Sequence, residues 1–316
     1  MSTSTNLNTR PLGHSGLDVP VVGLGCNNFG RRVDLAGTRA VVDAALEHGI
    51  TFFDTADVYG GTKSEQFLGE ILKGRRDQVI LATKFGMDTG DGKGPRGSRD
   101  YIRHAVESSL GRLQTDVIDL YWYHRPDGQT PIAETLRALH ELVQAGTVRA
   151  IGASNFSAEQ IEEADCVAGE HGLTHFTAIQ NQYSLLVREA ETDVLPTCER
   201  LGIGFVPYFP LASGLLTGKY HRGTAGPQGS RLSGRDQIAS DAQWDLVEAL
   251  EAYAQERGVA LTQVAVGGLL AQSAVSSVIA GATKPEQVAA NAQAGRWIPE
   301  GDDLDALRKV LDDHPV

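Results

Sequence analysis

The sequence predicts an α/β fold, a (β/α)8 barrel, and three observations point there. Short β-branched runs alternate with longer segments of helical periodicity, the pattern of a parallel sheet with crossover helices. The candidate strands number eight, the barrel number: Val19–Leu24, Thr51–Asp54, Gln78–Lys84, Val117–His124, Arg149–Ser154, Thr177–Gln182, Gly204–Tyr208 and Ser277–Ala280. No linker, charge run or break in composition divides the chain and no solenoid repeat occurs, so 1–316 reads as a single domain. With 316 residues, 41% of them hydrophobic, the chain can bury a large core, and a mostly disordered chain is excluded.

Taken in order, Ser2–Asn8 reads as a loose polar tail. Arg10–Leu12 and Leu17–Val19 flank His14-Ser15-Gly16, an N-terminal β-hairpin placed to plug the barrel floor. A capped helix is expected over Ser64–Lys73. Two connections, Gly86–Ser98 and Ala212–Ser240, are long enough to be lids or binding loops. Between them, Thr130 is expected to cap a helix with Pro131 at its first position. Ile132, Leu136, Leu139 and Val143 lie on one face, and Gly146 ends it in a left-handed turn. Ser157 with Gln160, and Thr283 with Glu286, fit capping boxes directly after strands, at the barrel end where sites are built.

Composition removes whole classes of function. Lys plus Arg is 28 and Asp plus Glu is 40; a net charge of -12 without a basic patch opposes nucleic acid and anionic bilayers. Cys26, Cys166 and Cys198 lack CxxC spacing, which argues for a reducing compartment, the cytoplasm, over a disulfide framework or zinc site. Neither a signal-peptide pattern nor an apolar run of membrane-spanning length occurs. Gly92-Lys93-Gly94-Pro95-Arg96-Gly97 satisfies a GxGxxG search but follows no strand, so it reads as a flexible loop. His171 and His175 share helical spacing without a third ligand, and no metal site is expected.

The chemistry gathers at strand ends. Asp54 closes one strand, Tyr59 lies in the turn after it, Lys84 closes the next, and His124 ends the one after that. Each alone has an ordinary structural explanation. Together they equip a carbonyl reduction or alcohol oxidation. A phenol has a pKa of about 10, and a nearby ammonium is expected to lower it and ready the proton. Asp54 would keep Lys84 charged, and a neutral His124 would hydrogen-bond the reacting oxygen.

On Phe53-Asp54-Thr55-Ala56-Asp57-Val58-Tyr59-Gly60, Thr83-Lys84 and Asp119-Leu120-Tyr121 running into His124-Arg125-Pro126-Asp127, the chain resembles the aldo-keto reductase superfamily. The likeness continues through Gly152–Phe156, Gln180–Tyr183, Tyr208–Tyr220 and Gly281–Gln287, and looks most like the branch of potassium-channel β subunits and bacterial aldo-keto reductases. It implies a TIM barrel that binds NADPH and reduces an aldehyde or ketone by direct hydride transfer. Carried over by position, Tyr59 is the general acid, Asp54 and Lys84 tune it, and His124 orients the substrate.

The resemblance also implies cofactor contacts. Ser154, Asn155 and Gln180 match residues that hold the nicotinamide carboxamide, and Tyr208 matches the aromatic that stacks on its ring. Gly25, Cys26 and Asp54 border the same cleft. Phe209, Pro210, Leu211, Ala212, Gly214 and Leu215 follow the stacking residue, and Lys219 and Arg231 match phosphate-gripping positions. Gly281, Thr283 and Lys284 suit an adenosine 2′-phosphate, with Gln287 and Asn291 facing the adenine. The loop Gly25–Arg32 departs from the commonest family wording, which leaves substrate preference to Asn27 and Phe29 there and to Phe85. Arg31 and Arg32 read as solvated, with recognition of a polar or anionic substrate as the alternative. An NAD-dependent sugar or alcohol dehydrogenase and a cofactor-holding redox sensor are the competing readings.

Overall fold

The computed structural model describes residues 7–228, 230, 232–233 and 237–316. Positions 1–6 of the expected tail lie outside them, and the rest of that stretch is not loose. Leu7 is buried, and the Asn8 carbonyl accepts from Val21 N.

Strands β1 (Thr9–Pro11) and β2 (Asp18–Pro20) form the antiparallel hairpin, Arg10 opposite Val19. Eight parallel strands follow: β3 (Val22–Gly25), β4 (Phe52–Asp54), β5 (Ile80–Phe85), β6 (Ile118–Tyr123), β7 (Val148–Ser154), β8 (Ala178–Gln180), β9 (Gly204–Phe205) and β10 (Val278–Gly281). They pair in chain order with β10 beside β3, and bridges Phe205–Val275 and Tyr208–Ile279 join β9 to β10. The architecture is the expected (β/α)8 barrel.

Proline interrupts the ladders of two expected strands, and β8 is also shorter than the expected Thr177–Gln182. The run Val19–Leu24 divides at Val21, just after Pro20, into the end of the hairpin and the start of β3. Strand β9 stops before Pro207, which offers only its carbonyl, to Ile279 N.

Helices α1 (Leu35–Glu47), α2 (Lys63–Ile71), α3 (Arg99–Leu113), α4 (Ile132–Gln144), α5 (Ala158–His171) and α6 (Val194–Leu201) cross between successive strands. After β9 come α7 (Asp241–Glu256) and α8 (Leu261–Leu270), and after β10 come α9 (Pro285–Ala294) and α10 (Gly301–Asp313). Asp34, Ser98, Ser157 and Ser240 cap their helices with side-chain oxygens, the last two in full capping boxes. Three expected caps are corrected. Helix α2 has no side-chain cap. Thr130 gives its hydroxyl to Asp127, and Pro131 occupies the cap of α4. Thr283 N donates to Gln287 Oε1, not within a box with Glu286, so α9 starts from Lys284. Among the described residues no helix is long and apolar enough to cross a membrane.

Strand side chains alternate between barrel interior and helical shell. The interior is a cluster of its own: Phe52, Ile80, Ala82, Leu120, Trp122, Ala150, Ala178, Val206 and Ile279, closed from below by Leu12, Leu17 and Val19 of the hairpin. The hairpin does plug the floor. Trp122 fills the middle because Gly152 faces it; a Cβ on Gly152 would come within 2.5 Å of the indole. Outside, Asp119 accepts from Arg76, Arg149 and Leu81 N, fastening β5, β6 and β7. Two residues beyond the filled interior, the same inward alternation delivers Asp54, Lys84, His124, Ser154, Gln180 and Tyr208 to the C-terminal mouth.

Candidate active site

The mouth holds a cleft of about 760 Å³. Its floor is polar because six of the eight strands present a polar side chain at their last inward position, directly above an apolar plug, while β3 and β10 end in Gly25 and Gly281. Lys84 is fully buried, and its Nζ donates to Asp54 Oδ2 at 2.5 Å and to the Thr55 carbonyl at 2.8 Å. The turn after β4 carries Tyr59 back over this pair, the ammonium 5.2 Å from the ring centroid and within hydrogen-bonding reach of the phenol. Ser64 on α2 fixes that turn by bonding Thr55 and the Cys26 carbonyl. The His124 ring stands edge-on to Tyr59, centroids 5.9 Å apart. Tyr59 is packed on most sides yet keeps part of its surface open to the cleft.

The electrostatics corrects one expectation. Burial raises the Tyr59 pKa, and the opposing Lys84 ammonium does not overcome it; the net direction is up. The phenol therefore holds its proton through neutral pH. Burial also presses on Lys84, but Asp54 and then Tyr59 reverse this and hold its pKa above the ordinary lysine value. Burial first, then Lys84 and Arg125, push His124 down to about 3, so the imidazole is neutral as expected.

Beside this cluster Asn155 adopts a left-handed φ of 60°. Its Nδ2 donates to the His124 carbonyl and Ser154 Oγ, and its Oδ1 accepts from Tyr208 OH at 2.7 Å. Both amide hydrogens are thus spoken for. Ser154 Oγ donates to the Gln180 carbonyl. Gln180 Nε2, His124 Nδ1 and Asp54 Oδ1 are buried without a partner among the described residues. Three unmatched polar atoms around one cleft mark a place where a polar molecule belongs.

The Aldo/keto reductase family profile matches residues 21–311. A probable voltage-gated potassium channel subunit beta from Arabidopsis thaliana is 35% identical over 97% of both chains. One of the same description from Oryza sativa subsp. japonica is 36% identical over 92% of both. The chain belongs to the aldo/keto reductase family. That membership supports NAD(P)-dependent carbonyl reduction in general terms.

Most residues singled out in this aldo/keto reductase sequence reach the cleft. Asp54, Tyr59 and His124 line it, with Lys84 beneath. Gly25, Cys26 and Asn27 line one side and Ser154, Asn155, Gln180 and Tyr208 another. Phe209, Pro210, Leu211, Gly214 and Lys219 come from the loop after β9, and Gly281, Thr283, Gln287 and Asn291 from the β10–α9 end.

Five do not reach it. Phe85 neighbours the inward Lys84, so it must face outward; it stacks on Tyr123 at 5.0 Å in the helical shell. Phe29 is fully buried in that shell, and Leu215 packs there too. Ala212 packs against it from a left-handed φ of 45°. Lys284 is exposed and caps α9 away from the lining. Arg231 lies outside the described residues.

Asn28, Met87, Arg125, Ser213 and Thr262 line the cleft with no role expected from sequence, and Arg32 lines it as its substrate-recognition alternative requires. Arg125 was within reach of the sequence, immediately after His124 at a strand end.

Proposed function

We propose that the chain is an NADPH-dependent reductase of aldehydes or ketones, with Tyr59 as proton donor. The observation that carries the reading is the Asp54–Lys84–Tyr59–His124 cluster beneath a cleft edged by unmatched polar atoms. The cofactor fits on two further grounds. Gln180 Nε2 is a donor without a partner among the described residues, suited to a carboxamide oxygen, and Gly281 presents exposed backbone at the cleft. Gln180 Nε2 would donate to the nicotinamide amide, Ser154 Oγ and Asn155 Oδ1 would accept from it through their remaining lone pairs, Tyr208 would offer an aromatic face, and Lys219 with the β10–α9 end would take the phosphates and adenosine.

NADPH, when bound, supplies a hydride to the carbonyl carbon. Tyr59 then gives its proton to the carbonyl oxygen, so the substrate gains two electrons and becomes an alcohol. Lys84 stabilises the phenolate left behind, and Asp54 keeps that ammonium charged and in place. Neutral His124 donates a hydrogen bond to the same oxygen before and during transfer. Asn155 ties His124, Ser154 and Tyr208 together and thereby sets the width of the site.

A panel of aldehydes and ketones, followed by NADPH consumption, tests this. Tyr59→Phe is expected to bind NADPH with unchanged affinity and to lose about 10²–10⁴-fold in kcat. Unchanged turnover removes Tyr59 from the mechanism. The relatives described as probable channel subunits support a second reading, a regulatory protein that holds the cofactor with little turnover. Tight NADPH binding with no consumption across the panel would select it.

A further inference from the structure

A smaller cavity of about 520 Å³ adjoins the cleft, between the loops that follow β5 and β6. Met87 and Arg125 line both spaces. The charged side chains around the smaller one are Asp88, Arg96, Arg125 and Asp127. Three are already engaged in its wall. Asp127 accepts from the amides of Gly97, Gln129 and Thr130 and from the Thr130 hydroxyl. Asp88 pairs with Arg96 at 2.7 Å. The Arg125 side chain has no hydrogen-bond or ion-pair partner among the described residues and is exposed at the rim. It lines the same cleft as His124 and Tyr208, where its charge helps lower the His124 pKa and works against the burial that raises that of Tyr208. Met87 and Phe209, 36% and 38% exposed, add an apolar rim beside it.

We propose that Arg125 binds a carboxylate on the substrate, so that the favoured substrates are aldehydes or ketones with an apolar body and a carboxylate remote from the carbonyl. The inference rests on the reductase reading above and names the substrate class of that same site. A guanidinium meets a carboxylate through two parallel hydrogen bonds. One cation unengaged among the described residues at this rim matches a monoanion, whereas a dianionic phosphate calls for more positive charge. The chain as a whole repels anions with its charge of -12. A local cation at the mouth is therefore what would draw an anionic substrate in.

A matched pair tests it: 4-carboxybenzaldehyde and its neutral ester, methyl 4-formylbenzoate, each with the intact protein, Arg125→Gln and Arg125→Lys. The intact protein is expected to favour the acid in kcat/KM. Arg125→Gln reduces the acid-to-ester ratio by about tenfold or more, mainly through KM, and Arg125→Lys restores part of it. A second arm needs no turnover: calorimetric titration of 4-(hydroxymethyl)benzoate, with and without NADP+. Its affinity is expected to fall about tenfold in Arg125→Gln while NADPH affinity holds. If neither aldehyde is reduced but the carboxylate still binds through Arg125, the reductase reading fails, and with it the substrate class, while the carboxylate site at Arg125 stands. Turnover with no preference for the acid, equal losses on acid and ester, or a parallel loss of NADPH affinity overturns it.

Discussion

Two buried ion pairs stand on opposite faces of β5, and alternation along the strand separates them. Lys84 points inward and meets Asp54; its neighbour Thr83 points outward and gives its hydroxyl to Glu65, which also takes Arg112 at 2.6 Å. Asp54 and Lys84 are almost sealed, as is Glu65, while Arg112 keeps 22% of its side chain exposed. The inner pair has a phenol above it and open space beyond. The outer pair has helices around it: Glu65 belongs to α2 and Arg112 to α3, and a Cβ on Gly69 would lie 2.3 Å from the Arg112 carbonyl. Similar chemistry thus serves reaction on one face and helix attachment on the other. What differs is whether the pair borders a cleft.

The largest expected effect comes from breaking the inner pair. Lys84→Met removes the ammonium that counters burial at Tyr59 and would receive the phenolate's charge. It should lower kcat by about 10²–10⁴-fold and also cost about 3–5 kcal/mol of stability, because Asp54 is left buried and alone. Steady-state rates and denaturant unfolding on the same preparation read both. Breaking the outer pair separates them. Arg112→Met strands Glu65 and should cost about 3–5 kcal/mol in unfolding, with kcat of the folded protein within about twofold of the parent. A fall in kcat comparable to that of Lys84→Met would mean the two faces are coupled and do not divide reaction from helix attachment.

The sequence carried most of the barrel and the reactive cluster, because both obey short-range rules. Asp54, Lys84 and His124 each end an apolar run, and their inward parity follows from the strand period. The same parity contains the error over Phe85: once Lys84 faces in, Phe85 faces out. Phe29, Ala212 and Leu215 sit on irregular segments where no period applies, so their burial depends on tertiary packing. The Tyr59 pKa goes up because burial outweighs Lys84; proximity to Lys84 is readable from spacing, whereas the depth of burial opposing it is not. The place of Arg125 at the site depends on the two cavities it borders, which no local pattern reveals.

The smallest effect distinguishes the two faces by pH. Asp57, three residues after Asp54, belongs to the outer cluster: it is buried, with Oδ1 unpartnered. Burial first, then Glu65, raises its pKa from 3.8 to about 8, against the weaker pull of Arg112, a backbone bond at Val58, and Lys84. Being raised, it adds stability that is complete below 3.8 and is lost as pH climbs through 8. His124, on the inner face, is lowered from 6.5 to about 3, so its contribution is present above 6.5 and is lost as pH falls through 3. The slopes oppose each other between 3.8 and 6.5, and only that of Asp57 continues above 6.5. At about 1.4 kcal/mol per pH unit, the protein should lose about 2 kcal/mol between pH 6.5 and 8, and Asp57→Asn should remove that loss. Urea unfolding of both proteins at the two pH values measures it, since titrations elsewhere are common to both and cancel. Parallel losses would show that Asp57 is already ionised in the folded protein, with the outer cluster accommodating its charge as the inner one accommodates that of Asp54.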